Sequence, residues 1–163
     1  MERVRCASDD TEIRDCAQQI SKFGSRRATR GLLAIVRGSA DPMRQLMALH
    51  TRWNLFDARA VPLFLYMGAT GKTEDLRAVA VEGLGNGIRR RHVQEAVAKC
   101  LIDPSVPVRY SALCAAAWLR YVTRQPMIPS LRRALESSAN DPASLYTEGD
   151  VAELARSILD QEC

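Results

Sequence analysis

The stretch Val108-Arg109-Tyr110-Ser111-Ala112 decides the fold, because the chain writes it four times. The string is an apolar residue, arginine, two variable positions and a small residue. It stands earlier as Leu76-Arg77-Ala78-Val79-Ala80, as Met43-Arg44-Gln45-Leu46-Met47 and as Ile13-Arg14-Asp15-Cys16-Ala17. Successive arginines are 30, 33 and 32 residues apart. A fifth copy, Val151-Ala152-Glu153-Leu154-Ala155, keeps the apolar pattern without the arginine. Self-similarity at such a period is the mark of a stacked-repeat architecture.

Each copy opens a helical stripe. Leu76, Val79, Ala80, Gly83 and Leu84 follow the offsets 0, 3, 4, 7 and 8 of one amphipathic helix face, as do Val151, Leu154, Ala155, Ile158 and Leu159. The helix from Val108 extends through Leu119 toward Val122. Between the copies lie partner helices over 32–36, 61–67, 93–101 and 128–135. The predicted order is one N-terminal helix followed by four helical hairpins, with no competing alternation of β type. Asp41-Pro42 and Asp103-Pro104 read as helix caps followed by a first-turn proline. Gly68 to Thr73 and Gly83 to Gly87 superficially resemble nucleotide-binding loops. Their spacing is wrong and no strand precedes them, so both read as turns between helices.

One amphipathic hairpin cannot bury its apolar face alone, and stacked hairpins share a continuous core. The fold class expected is therefore all-α, an α-solenoid forming a single domain over 1–163. Residues 1–9 are expected to be a flexible lead-in and 137–149 a loop excursion. The chain has 163 residues, long enough to bury roughly two-thirds of its unfolded surface. Five cysteines in no CxxC arrangement, with Cys16, Cys100 and Cys114 on apolar helix positions, suggest packed reduced thiols and a cytoplasmic setting. No stretch has the length or apolarity of a signal peptide or a membrane span.

The segment from Asp103 to Ala112 resembles the aspartate…valine-arginine-x-x-alanine signature of short bacterial HEAT repeats, the type named for phycocyanobilin lyases. The resemblance spans about 10–160 and is sharpest at 76–120. It implies a ladder in which aspartate and arginine link adjacent repeats, assigned to Asp103, Arg44, Arg77 and Arg109. Asp41 and Asp75 stand closer to their arginines than the signature expects, which argues against the ladder in the first two hairpins. Members of the group include lyase subunits, chaperones, adaptors and DNA-binding proteins, so the resemblance implies a fold more than a function.

No nucleophile, base and orienting acid are placed together, and no metal-ligand spacing is present. The chain is therefore read as a non-catalytic protein-binding scaffold, without cofactor or metal. Between Val108 and Val122 the positions off the core stripe carry Tyr110, Leu113, Cys114, Ala117 and Tyr121 where charge is the norm. Either neighbours bury this helix on several sides, or its outer face is a docking surface. With Gln45, Leu49, Arg52, Ala78 and Glu82 from earlier repeats, these residues form the expected partner-binding groove along the inner helices. Trp53 and Trp118 share one repeat position, offset 10, with Phe23 and Asn86; core packing or an interface ridge both fit it.

Charge is uneven: residues 1–91 carry +6 and residues 92–163 carry −2. An acidic protein partner fits the basic half. The alternative is nucleic-acid binding through Arg26, Arg27, Arg30, Arg89, Arg90 and Arg91, although no aromatic residues are interleaved with them for base stacking. A lyase-like accessory subunit is a further, less favoured reading. No membrane partner is expected. The last helix is acidic, as suits a repeat that caps the array.

Overall fold

The computed structural model describes residues 34, 36–42, 45, 46, 48, 60–140 and 150–160. From residue 60 onward the described chain is helical: α1 (Val61–Thr70), α2 (Glu74–Gly83), a 3-10 turn (Leu84–Gly87), α3 (Arg91–Cys100), α4 (Val106–Trp118), a π turn (Leu119–Thr123), α5 (Pro129–Ser138) and α6 (Val151–Asp160). Three of the four expected hairpins are thus in place. The first in chain order, residues 32–53, lies only partly within the described residues, and the expected helix around Ile13 lies outside them. No strand occurs among the described residues.

Local chemistry sets the helix starts. Thr73, in extended backbone, caps α2 by accepting a hydrogen bond from the Leu76 N–H at 3.2 Å, and Glu74 and Asp75 place negative charge on the first turn. Pro129 opens α5. Asp103-Pro104 departs from expectation. Asp103 Oδ1 accepts from the Ser105 N–H at 2.8 Å, folding these residues into a turn, and α4 begins only at Val106 with Pro107 in its first turn. The last turn of α5 also runs further than expected. Ser138 is buried and its hydroxyl donates to the Ala134 carbonyl at 3.0 Å, so 137–140 belong to the helix and its closing turn. Residues 141–149, like residues 1–9, lie outside the described residues.

The helices form two layers. α2, α4 and α6 pack side by side in one; α3 and α5 pack in the other, which also takes α1. The α2–α4 contact is the most extensive between successive hairpins. Ala80, Gly83, Ala112, Ala115 and Ala116, the small residues of the repeat, are all buried. Close approach also binds α1 to α2: a Cβ on Gly83 would stand 2.7 Å from the Phe64 ring, and Phe64 has no exposure at all. One core runs through the stack, built on Phe64, Leu76, Leu84, Leu101, Leu113, Leu119, Leu131 and Leu135.

Polar links tie one repeat to the next. Arg77 on α2 reaches Asp103 at 3.6 Å, and the Ser105 hydroxyl donates to Glu74 at 2.9 Å. The ladder implied by the resemblance therefore exists between the second and third hairpins, where the displaced Asp75 argued against it. The aspartate comes from the following repeat, so the position of Asp75 does not matter. Arg109 closes the same turn from the other side, donating to the carbonyls of Asp103 at 2.8 Å and Pro104 at 3.1 Å. Arg44 lies outside the described residues. The buried Gln94 side chain accepts the otherwise orphaned Ile128 N–H at 2.9 Å, joining α3 to the start of α5. At the far end α6 buries Val151, Ala152, Ala155 and Ile158 and leaves Glu153, Arg156, Ser157 and Asp160 outside. The outward side of α6 is therefore polar.

Candidate partner-binding face

The layer α2–α4–α6 sorts the residues expected to line a groove. Along α4, Tyr110, Cys114 and Ala117 are half-buried and Tyr121 is exposed. Their spacing of 4, 3 and 4 residues makes one stripe. Leu113 does not belong to it: it is fully buried and part of the core. Ala78 is also buried, so on α2 the open stripe passes instead through Val79, Glu82 and Asn86. Gln45 is turned to a structural task, its amide donating to the carbonyls of Val36 and Ser39 at 2.9 Å each. Leu49 and Arg52 lie outside the described residues.

Burial accounts for only part of the apolar helix. Through its middle α4, which packs against α2, α3 and α6, is buried at Ser111, Ala112, Leu113, Ala115 and Ala116. At its end the neighbours fall away. Trp118 is 37% exposed, Tyr121 44% and Val122 53%. These residues stand at i, i+3 and i+4, so they share one side of the helix and form a ridge of apolar surface. Trp118 rests against the turn after α2, where a Cβ on Gly85 would touch its own Cβ at 3.4 Å. The neighbouring Asn86 holds a buried Nδ2 with no hydrogen-bond partner. The Tyr121 hydroxyl is within 3.0 Å of the Ser157 hydroxyl, which anchors the ridge to α6. Trp118 was the ambiguous residue in sequence, and the structure makes it part packing, part surface. Val122 was read only as the end of a helix; the signal for its exposure was the loss of the core stripe after Leu119.

The arginine run begins two residues after the turn against which Trp118 rests. Arg89, Arg90 and Arg91 are all exposed, with Arg91 in an i, i+4 ion pair to Glu95 at 3.0 Å. Arg124, exposed and in the left-handed region at φ 51°, ends α4's π turn. The structure thus brings the basic run and the aromatic ridge to one edge, where the chain passes from repeat to repeat. Arg26, Arg27 and Arg30 lie outside the described residues.

Two described thiols, Cys100 and Cys114, are half-buried and form no disulfide. Burial, reinforced by the Asp103 carboxylate and partly countered by Arg77, pushes the Cys100 thiol up to about 11. It is a protonated packing residue at neutral pH, not an activated nucleophile.

No family model matches the chain, and no curated protein matches it. Among solved structures it is similar to a chain in the complex of CpcE and CpcF of phycocyanin lyase from Nostoc sp. PCC7120, with a TM-score of 0.73 and 16% identity, over 95% of this chain and 91% of that one. No helix among the described residues is long and apolar enough to cross a membrane. The fold is an all-α, HEAT-like solenoid.

Proposed function

We propose that this chain is a non-catalytic scaffold that binds a protein partner on the α2–α4–α6 layer. The observation that carries the reading is the ridge of Trp118, Tyr121 and Val122 at the end of α4. Aromatic side chains that are held by packing yet exposed are the usual anchors of protein interfaces. The half-buried stripe of Tyr110, Cys114 and Ala117 extends the ridge along the helix, and Arg89, Arg90 and Arg124 give its rim a positive charge suited to an acidic partner. The similar chain belongs to a two-protein complex, which supports use of the fold as a subunit. An enzyme-accessory subunit is one form this scaffold takes.

The test is co-purification of the tagged chain from its own cells, with Trp118→Ala and Val122→Asp compared with wild type. Val122 is exposed, so its charge leaves the helical circular dichroism and melting temperature unchanged. The reading expects one protein at fixed stoichiometry with the wild type and its loss with both variants. Retention of the same protein by both variants would show that binding lies elsewhere. Recovery of nucleic acid in place of protein, reduced by neutralising Arg89 and Arg90, would replace the reading with the nucleic-acid alternative.

A further inference from the structure

A second surface lies in the opposite layer, on α1. From Ala60 to Gly71 the chain carries no charged residue, yet Pro62, Tyr66, Ala69 and Thr70, at offsets 0, 4, 7 and 8 on one side of α1, are all exposed. Tyr66 is 62% exposed. An exposed helix side would normally be charged. Alongside it runs a cavity of about 510 Å³, between Val36 and Arg37 on one wall and Leu63, Tyr66 and Met67 on the other. That volume is in the range of pockets that hold ligand side chains, roughly 300–1,000 Å³. Lys72 stands at the end of the cavity, and no carboxylate is among its described lining residues. The matching groove between α1 and α3, about 430 Å³, differs in having Glu95 and Asp103 on its rim.

We infer that the groove between residues 36–37 and α1 receives an amphipathic helix of a partner protein, its apolar side on the exposed Pro62 and Tyr66 and its carboxylates on Arg37 and Lys72. Exposed apolar side chains beside Arg37 and Lys72, with no carboxylate among the described lining residues, select acidic over basic helices. The same charge works against a second copy of this chain, since two such rims would repel. α1, ten residues long, spans roughly 15 Å and so matches two to three turns of a bound helix. This surface is separate from the Trp118 ridge, and the two together let the scaffold hold two partners.

The probe is a fluorescein-labelled peptide of about 14 residues with leucines at i, i+3 and i+7 and glutamates elsewhere, followed by anisotropy on the full-length protein. Two control peptides replace the glutamates by lysine or the leucines by serine. The inference expects saturable binding of the acidic amphipathic peptide at least tenfold tighter than either control. Arg37→Glu with Lys72→Glu, and separately Tyr66→Ala, weaken it tenfold or more, while Val122→Asp leaves it unchanged. Those are all exposed positions, so folding is preserved, as circular dichroism would verify. Equal affinity for the acidic and basic peptides, wild-type affinity in the groove variants, or no saturable binding overturns the assignment. So does a concentration-dependent dimer in sedimentation that Tyr66→Ala abolishes. Loss of binding in Val122→Asp alone would move the site to the α4 ridge.

Discussion

At Gly83 a hydrogen atom does what no side chain could. An alanine there places its Cβ 2.7 Å from two atoms of the fully buried Phe64 ring, so that one of the two must shift within the core. Overpacking of this kind costs about 1–3 kcal/mol, and the gain of ~1 kcal/mol in helix propensity offsets only part of it. Gly83→Ala is therefore expected to lower the denaturant midpoint. Gly38→Ala, where an added Cβ meets nothing within 4 Å, is expected to be neutral or slightly stabilising. Chemical denaturation of the two variants checks the pair.

Cys100 makes a residue-scale prediction in pH. Its thiol ionises near 9 in the unfolded chain and at about 11 in the folded one. Between those values the unfolded state has released a proton that the folded state retains, so stability falls as pH rises from about 9 toward 11. The loss stops growing above 11. Cys100→Ala removes this part of the pH dependence, which denaturation at pH 8, 9.5 and 10.5 would show. Arg77→Ala, by removing the charge that lowers the thiol's pKa, slows alkylation of Cys100 further in a mass-spectrometric time course.

At the scale of elements, the hairpins were legible because two independent periodicities agreed, the 32-residue spacing of the arginines and the 3.6-residue spacing of the apolar stripes. The 3-10 turn over Leu84–Gly87 was legible as a stop, since three glycines in five residues cannot continue a helix. The site was harder to read. Leu113 and Ala78 were placed on the surface because they sit off the strongest stripe, but a helix in the middle of a two-layer stack is covered on more than one side. Sequence periodicity marks the widest buried stripe and not the narrower ones that α3 and α6 add to α4. The uncharged side of α1 was visible in the composition of 60–71, but its outward face was not, because an all-apolar helix reads equally as fully buried.

The Arg77–Asp103 pair is the element-scale link between hairpins. Both side chains are partly exposed, and such pairs contribute about 0–1 kcal/mol, screened by salt. A double-mutant cycle with Arg77→Ala and Asp103→Ala is expected to return a coupling within that range at low salt and less at 1 M salt. A coupling well above it would mean that the ladder and not the apolar core holds the repeats in register.

For the whole molecule, a solenoid's stability comes from contacts between neighbouring repeats, so its ends need sealing. α6 has a polar outer side, and Arg156 reaches back to the Ala139 carbonyl at 3.2 Å. Truncation before Val151 removes the helix packed against α4 and α5, and is expected to give an aggregating chain, seen as light scattering on concentration.

The most direct test of the scaffold reading is site-specific photo-cross-linking in the cells that make the protein. A benzophenone side chain replaces Trp118, Tyr121 or, as a control on the exposed side of α5, Arg133. The account predicts one protein adduct of the same mass from positions 118 and 121 and none from 133. Adducts of equal yield from all three positions, or none from 118 and 121, would contradict it.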